Sequence, residues 1–282
     1  MGAVKTSHVL REPISGGLPA PLLRALYGLP ELRPLDDAVR HELPEVQMRT
    51  ARMLLTGLAS TDRGLFLEFY SWGVGSRRQS VRFGVAQALA GLASVDEQNF
   101  LELYEAGLRS GREEVRAGTA MALAGLAAVD EGEFIKRYRT GMQSKDPGIV
   151  LGTGTALAGL AAGNKRLFLE LYDERASSGK SHERLGAISA LAALATVDKS
   201  EFLRRYREGI GSTDIRVRRE AAAALSGLAA ADKPLFLQLF REGIANPNLS
   251  VRQGTKAALV DAAIDNTEFL GLWAEASKQT QK

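Results

Sequence analysis

The 282-residue chain contains no cysteine. That excludes a disulfide framework, a thiolate metal site and a thiol nucleophile, and it fits a reducing cytoplasm. Long apolar runs are missing as well, since none approaches the roughly 20 residues of a membrane span. The opening MGAVKTSHVLREPISGG lacks the apolar centre of a secretory signal, although Gly2 and Thr6 formally match a myristoylation pattern. Charge of one sign is absent: 36 basic and 33 acidic residues leave a net charge of +3, too balanced to announce a nucleic-acid binder. The three histidines, His8, His41 and His182, have no spacing suited to a metal. No credible strand precedes a glycine-rich loop. GTGTALAG (152–159) resembles a nucleotide motif out of context, but its phase makes it part of a helix. The expectation is a cytoplasmic protein that is no enzyme and carries no cofactor and no metal.

What the chain has is a repeat with a period of 34 residues. One leucine recurs at Leu58, Leu92, Leu126, Leu160, Leu194 and Leu228. An aromatic follows at Phe66, Phe100, Phe134, Phe168, Phe202 and Phe236, and another four residues on, at Tyr70, Tyr104, Tyr138, Tyr172, Tyr206 and Phe240. Phe269 and Trp273 close the series one residue early. Each unit reads as two helices. The first has Asp62, Asp96, Asp130, Asn164, Asp198 or Asp232 at its N-cap. Glu133 and Glu201 are placed to complete capping boxes. A polar turn follows, and the second helix runs on through ALAGLA. Neither helix can bury its apolar stripe alone, so neighbouring pairs must stack into a solenoid.

Glycine recurs inside the second helices, where each one costs about 1 kcal/mol relative to alanine. Gly84, Gly118, Gly152, Gly186 and Gly254 form one column, broken by Glu220; Gly57, Gly91, Gly125, Gly159 and Gly227 form another, broken by Ala193. Two readings compete: close approach of adjacent second helices, or a groove in which a ligand reaches the backbone. In the last unit Asp261 replaces the second glycine and Lys256 stands where small or apolar residues precede it. A terminal repeat needs a polar outer face, so these positions are expected to face the following repeat, which favours close packing.

The turn followed by V-R-x-x-x-A-x-A-L, as in DIRVRREAAAALSGLA (214–229) and NLSVRQGTKAAL (248–259), resembles the HEAT family. The resemblance covers roughly residues 46–276, with units shorter and richer in glycine than is typical. It implies an all-α, right-handed α-solenoid of about seven 34-residue helix-pair repeats. It also implies that the arginine column Arg82, Arg116, Arg184, Arg218 and Arg252, with Val150 as its gap, pairs with turns and neighbouring acids. Around this solenoid the chain divides into a flexible tail (1–17), an atypical helical cap (18–45) that uses Leu22, Leu23, Leu26, Leu29 and Leu32, and a C-terminal tail (277–282).

If the second helices line the concave side, as the resemblance implies, their unrepeated positions are free to specialise. Arg49, Phe83, Leu151, Leu185, Arg219 and Gln253 lie in one such column; Met53, Gln87, Met121, Thr155 and Ser189 lie in another. Their apolar middle suits a helix or extended segment of another protein, and padding between repeats is the competing reading. The expected function is a non-catalytic scaffold or adaptor holding that segment. The alternative is a nucleic-acid-associated protein that meets phosphate through Lys136, Arg137, Arg139, Arg204, Arg205 and Arg207.

Overall fold

The computed structural model describes residues 44–265, and over that range the chain is an all-α solenoid. It opens with α1 (Pro44–Thr61). Six helix pairs follow. They are α2 (Arg63–Val74) with α3 (Gln79–Ala88), α4 (Glu97–Leu108) with α5 (Glu113–Ala122), and α6 (Glu131–Met142) with α7 (Pro147–Thr155). Then come α8 (Lys165–Ala176) with α9 (Ser181–Ser189), α10 (Lys199–Ile210) with α11 (Ile215–Ala223), and α12 (Lys233–Ile244) with α13 (Leu249–Asp265). The tail over 1–17, the C-terminal tail, Phe269, Trp273, His8 and His41 lie outside the described residues. So does the cap over 18–45, except for Pro44 and Glu45, which open α1.

The first helices start where their caps predict. Asp62, Asp96, Asp130, Asn164, Asp198 and Asp232 each accept a hydrogen bond from the backbone N–H three residues on, at 2.9–3.1 Å. The two capping boxes do not close. The cap N–H groups of Asp130 and Asp198 already donate to Leu126 and Leu194 at 2.9 and 2.8 Å. Glu133 and Glu201 turn instead to Arg137 and Arg205, both at 2.8 Å.

The apolar stripes meet in one continuous core. The recurring phenylalanines, from Phe66 to Phe236, are wholly buried, and each lies 5.7–6.0 Å from the aromatic ring four residues on. Burial pushes the phenols up, that of Tyr206 to about 12.

The second helices pack backbone to backbone, and the glycine columns allow it. A Cβ at Gly125 would overlap the Ala90 carbonyl, as one at Gly159 would overlap Ala124 and one at Gly227 would overlap Ala192. In the other column a Cβ at Gly118 would stand 2.7 Å from the Phe83 carbonyl oxygen. The columns therefore face the preceding unit. This corrects the direction inferred from Lys256 and Asp261, while close packing itself is what the glycines serve. Successive first helices touch far less than successive second helices do, so the stack curves with its second helices inside. Only between α9 and α11 is the inner layer loosened, where Glu220 replaces glycine.

The second helices differ from expectation in one more way. Those of the interior are not continuous: each passes into a 3-10 stretch, such as Leu89–Leu92 and Leu123–Leu126.

Rungs of side chains join the turns. Arg116 donates to the carbonyl of Ser110 at 2.8 Å and to Asp146 at 2.6 Å. Arg184 repeats this with Ser178 and Asp214 at 2.7 and 2.9 Å, and Arg218 with Ser212 and the Ser250 hydroxyl at 2.6 and 3.1 Å. Arg82 reaches Ser76 and Glu114. A second series links first helices, as in Arg63–Asp96 and Lys199–Asp232, both 2.6 Å. The more exposed rungs, such as Arg63–Asp96, are worth about 0–1 kcal/mol each, while those of Arg82, Arg116 and Arg184 are largely shielded from solvent; together they tie each unit to the next.

Candidate functional site

The inner face carries the unrepeated positions. Alternate turns of α3, α5, α7 and α9 bring Phe83, Met121 and Leu151 onto it half-buried, with Thr155 and Ser189 beside them. Gln87 and Leu185 are buried between units, at 8% and 9% exposure. Leu185 therefore pads the joint between repeats. Met53, Arg219 and Gln253 are exposed towards the two ends. Arg49 lies on α1, and its side chain is outside the described residues.

The polar groups of this face are largely spent internally. The Gln87 amide donates to the Met121 sulfur at 3.0 Å. The hydroxyls of Thr155 and Ser189 donate to the carbonyls of Leu151 and Leu185, at 3.0 and 2.9 Å. What remains is an apolar strip, closed towards α11 by Glu220, which lies 3.5 Å from the Ser189 hydroxyl and 3.2 Å from Arg219. Its chemistry is burial of apolar side chains, with Glu220 and Arg219 supplying charge at the α11 end.

The two arginine clusters are folded into the first-helix layer. Arg205 is only 4% exposed; it donates to Asp173 at 2.9 Å and to Glu201 at 2.8 Å, and its guanidinium lies 4.6 Å above the Tyr172 ring. Arg137 does the same with Glu133, Glu105 and, at 5.5 Å, the Tyr104 ring. Lys136 pairs with Glu133 at 3.1 Å, and Arg204 with Glu208 at 2.7 Å. The Arg204 hydrogen bond, with that of Arg205 beside it, holds the Glu201 carboxyl below the usual glutamate range. Arg139 and Arg207 are exposed and carry no carboxylate partner among the described residues. His182 is exposed in the first turn of α9. No group of three His, Asp or Glu side chains converges as metal ligands among the described residues, and no helix there is long and apolar enough to cross a membrane.

A second place emerged that the sequence reading passed over. The gap at Val150 was visible, but not that Arg175, Lys180 and Glu183 regroup beside it. Their departure from otherwise uniform columns was the available signal.

No family model matches the chain, and no curated protein matches it in sequence. Among solved structures it is similar to human deoxyhypusine hydroxylase in complex with glycerol, at 18% identity and a TM-score of 0.45, over 86% of this chain and 90% of that one. It is also similar to Kap121p, at 18% identity and a TM-score of 0.33, over 90% of this chain. A triple mutant of Kap121p aligns at 17% and 0.32 over 89% of this chain. In both the chain spans only 30% of the neighbour. These likenesses concern the helical-repeat fold alone.

One of them nevertheless corrects two expectations. Deoxyhypusine hydroxylase is an enzyme, so the exclusion of enzymatic activity does not hold, nor does the assignment as a non-catalytic scaffold with nucleic-acid association as its alternative. The physical reason is general: a stack of helix pairs is a frame, and its face residues rather than its architecture decide between binding and chemistry.

Proposed function

We propose that the chain is a HEAT-like solenoid that binds a segment of another protein along its inner face. The observation that carries this reading is the strip of Phe83, Met121 and Leu151. These large apolar side chains stay half-buried in successive units, at positions the repeat leaves free, while the repeated phenylalanines are wholly buried. Such a strip fits the apolar face of a helix or the alternate side chains of an extended segment. The reading concerns what binds, and it is the same whether the segment is held or chemically altered.

The test is capture from a lysate treated with nuclease, comparing wild type with Phe83→Glu/Leu151→Glu at two salt concentrations. A protein retained by the wild type at both salts and lost with the variant is expected, with both proteins giving the same helical circular dichroism. Retention by the folded variant, or steep loss with salt, contradicts the reading.

A further inference from the structure

Among the pairs with both helices described, only α6–α7 lacks the arginine of the rung, having Val150 in its place. The substitutions at this joint go further. First helices carry glycine at Gly73, Gly107, Gly141, Gly209 and Gly243, but α8 has Arg175. Second helices carry Val81, Val115, Ile149, Val217 and Val251, but α9 has Glu183. The positions that elsewhere supply the acceptor to the arginine, those of Asp146 and Asp214 and those of Glu114 and Ser250, hold Lys180 and His182. The rung has lost its cation and holds a lysine and a histidine where its acceptors stood.

Glu183 does not restore an acceptor. It is 4% exposed, and its two oxygens already receive Arg175 at 3.1 Å, Ser178 at 3.0 Å and Lys180 at 3.0 Å. Burial pushes its carboxyl up, but these donors outweigh burial and hold it below the usual glutamate range. Where the missing arginine would lie, the turn edge has a notch of about 120 Å³. Met142, Val150 and Glu183 form its buried part; Ser144, Lys145, Lys180 and His182 line it nearer to solvent.

The groups left free there are donors. Lys145 and His182 make no hydrogen bond or ion pair among the described residues. The Ser144 hydroxyl accepts from the Asp146 N–H at 3.1 Å and keeps its own proton to give. The carboxylate in the notch already has two cations, Lys180 and Arg175, the latter shared with Glu174 at 2.9 Å, and Lys145 adds a third positive charge beside them. Free donors around a surplus of positive charge suit a charge-assisted hydrogen bond to an anion.

We propose that this notch binds an oxyanion, a carboxylate or phosphate group, between Lys145, His182 and the Ser144 hydroxyl. The site lies on the turn edge of the stack, away from the inner face, and stands independently of the binding reading above.

Nuclear magnetic resonance of the full chain, titrated with inorganic phosphate and separately with acetate at low ionic strength, tests it. Saturable shifts of the His182 ring and of backbone amides in 144–150 and 178–184 are expected. Lys145→Ala/His182→Ala removes two exposed side chains and spares the fold, and it should raise the midpoint about tenfold or more. A lower midpoint for phosphate identifies a phosphate-bearing ligand, and one no lower than that for acetate identifies a carboxylate. Shifts that never saturate with either anion, or a double variant that titrates like the wild type, overturn the proposal.

Discussion

The second helices of the interior and those at the two ends of the described stack behave differently. Within α3, α5, α7, α9 and α11 the α-helix gives way to a 3-10 stretch around the second glycine column. The end helices α1 and α13 run unbroken for 18 and 17 residues. Composition does not explain this, because α1 also has its glycine, Gly57. What differs is the surroundings. A Cβ at Gly57 would meet nothing within 4 Å, while at Gly91, Gly125, Gly159 and Gly227 it would run into the backbone of the unit before. In α13 the same column holds Asp261, and the helix stays regular. In α9 it holds Ala193, and the 3-10 stretch lengthens to seven residues. The 3-10 geometry is thus a tertiary effect, imposed where a small residue is pressed against a neighbour's backbone, and not a local preference.

Acid should have the largest effect, because it reaches many joints between units at once. The Asp214 carboxyl is held below the usual range by Arg184, and that of Asp232 by Lys199. The Glu201 N–H, followed by Lys165, brings that of Asp198 down to about 2. A carboxylate depressed in the folded state stabilises above its unfolded pKa of about 4, and that stabilisation is lost as pH falls through the folded value. The melting temperature should therefore be flat from neutral pH down to about 5 and fall steeply between about 4 and 2. A flat profile down to pH 2 would mean that glycine packing alone holds the joints.

A smaller effect, confined to one joint, comes from filling a glycine. Gly125→Val places branched carbons against the Ala90 carbonyl, which cannot retreat without moving α3. Overpacking of this kind costs about 3 kcal/mol, and it should appear in a urea melt as a lower midpoint. Hydrogen exchange should rise at α3 and α5 before α11, because a stack whose units touch only their neighbours loosens locally. Uniform exchange along the stack would show that the joint does not carry the packing assigned to it.

Much of this frame was legible in the residues. Each unit sits in nearly the same surroundings, so a column of six residues reports one environment, as Asp62 to Asp232 did for the caps and Arg82 to Arg252 for the rungs. Misreadings arose where an answer depended on the neighbour's identity. The glycines were seen to need space, but the sequence does not say on which side. Glu133 and Glu201 were matched to cap N–H groups that the preceding turn already satisfies. On the inner face the free positions could be located, yet the half-burial of Phe83 and Leu151 and the burial of Leu185 depend on spacing between helices. Arg175, Lys180 and Glu183 were missed because their network crosses columns.

The smallest prediction is also the one that isolates cause from composition. Gly57→Ala and Gly125→Val alter the same column, but Gly57 lies in a continuous α-helix, exposed, with open space where its Cβ would go. Alanine there restricts the unfolded chain and suits the helix, so stability should rise by about 0.5–1 kcal/mol. The hydroxyls of Ser60 and Thr61 donate to the Gly57 carbonyl at 2.9 and 3.3 Å; a carbonyl does not depend on the side chain, so these bonds persist. A melting temperature raised in Gly57→Ala and a midpoint lowered in Gly125→Val would assign the opposite signs to the neighbour's backbone. If Gly57→Ala destabilises instead, the column requires glycine for its own conformation, and the contrast between interior and end loses its cause.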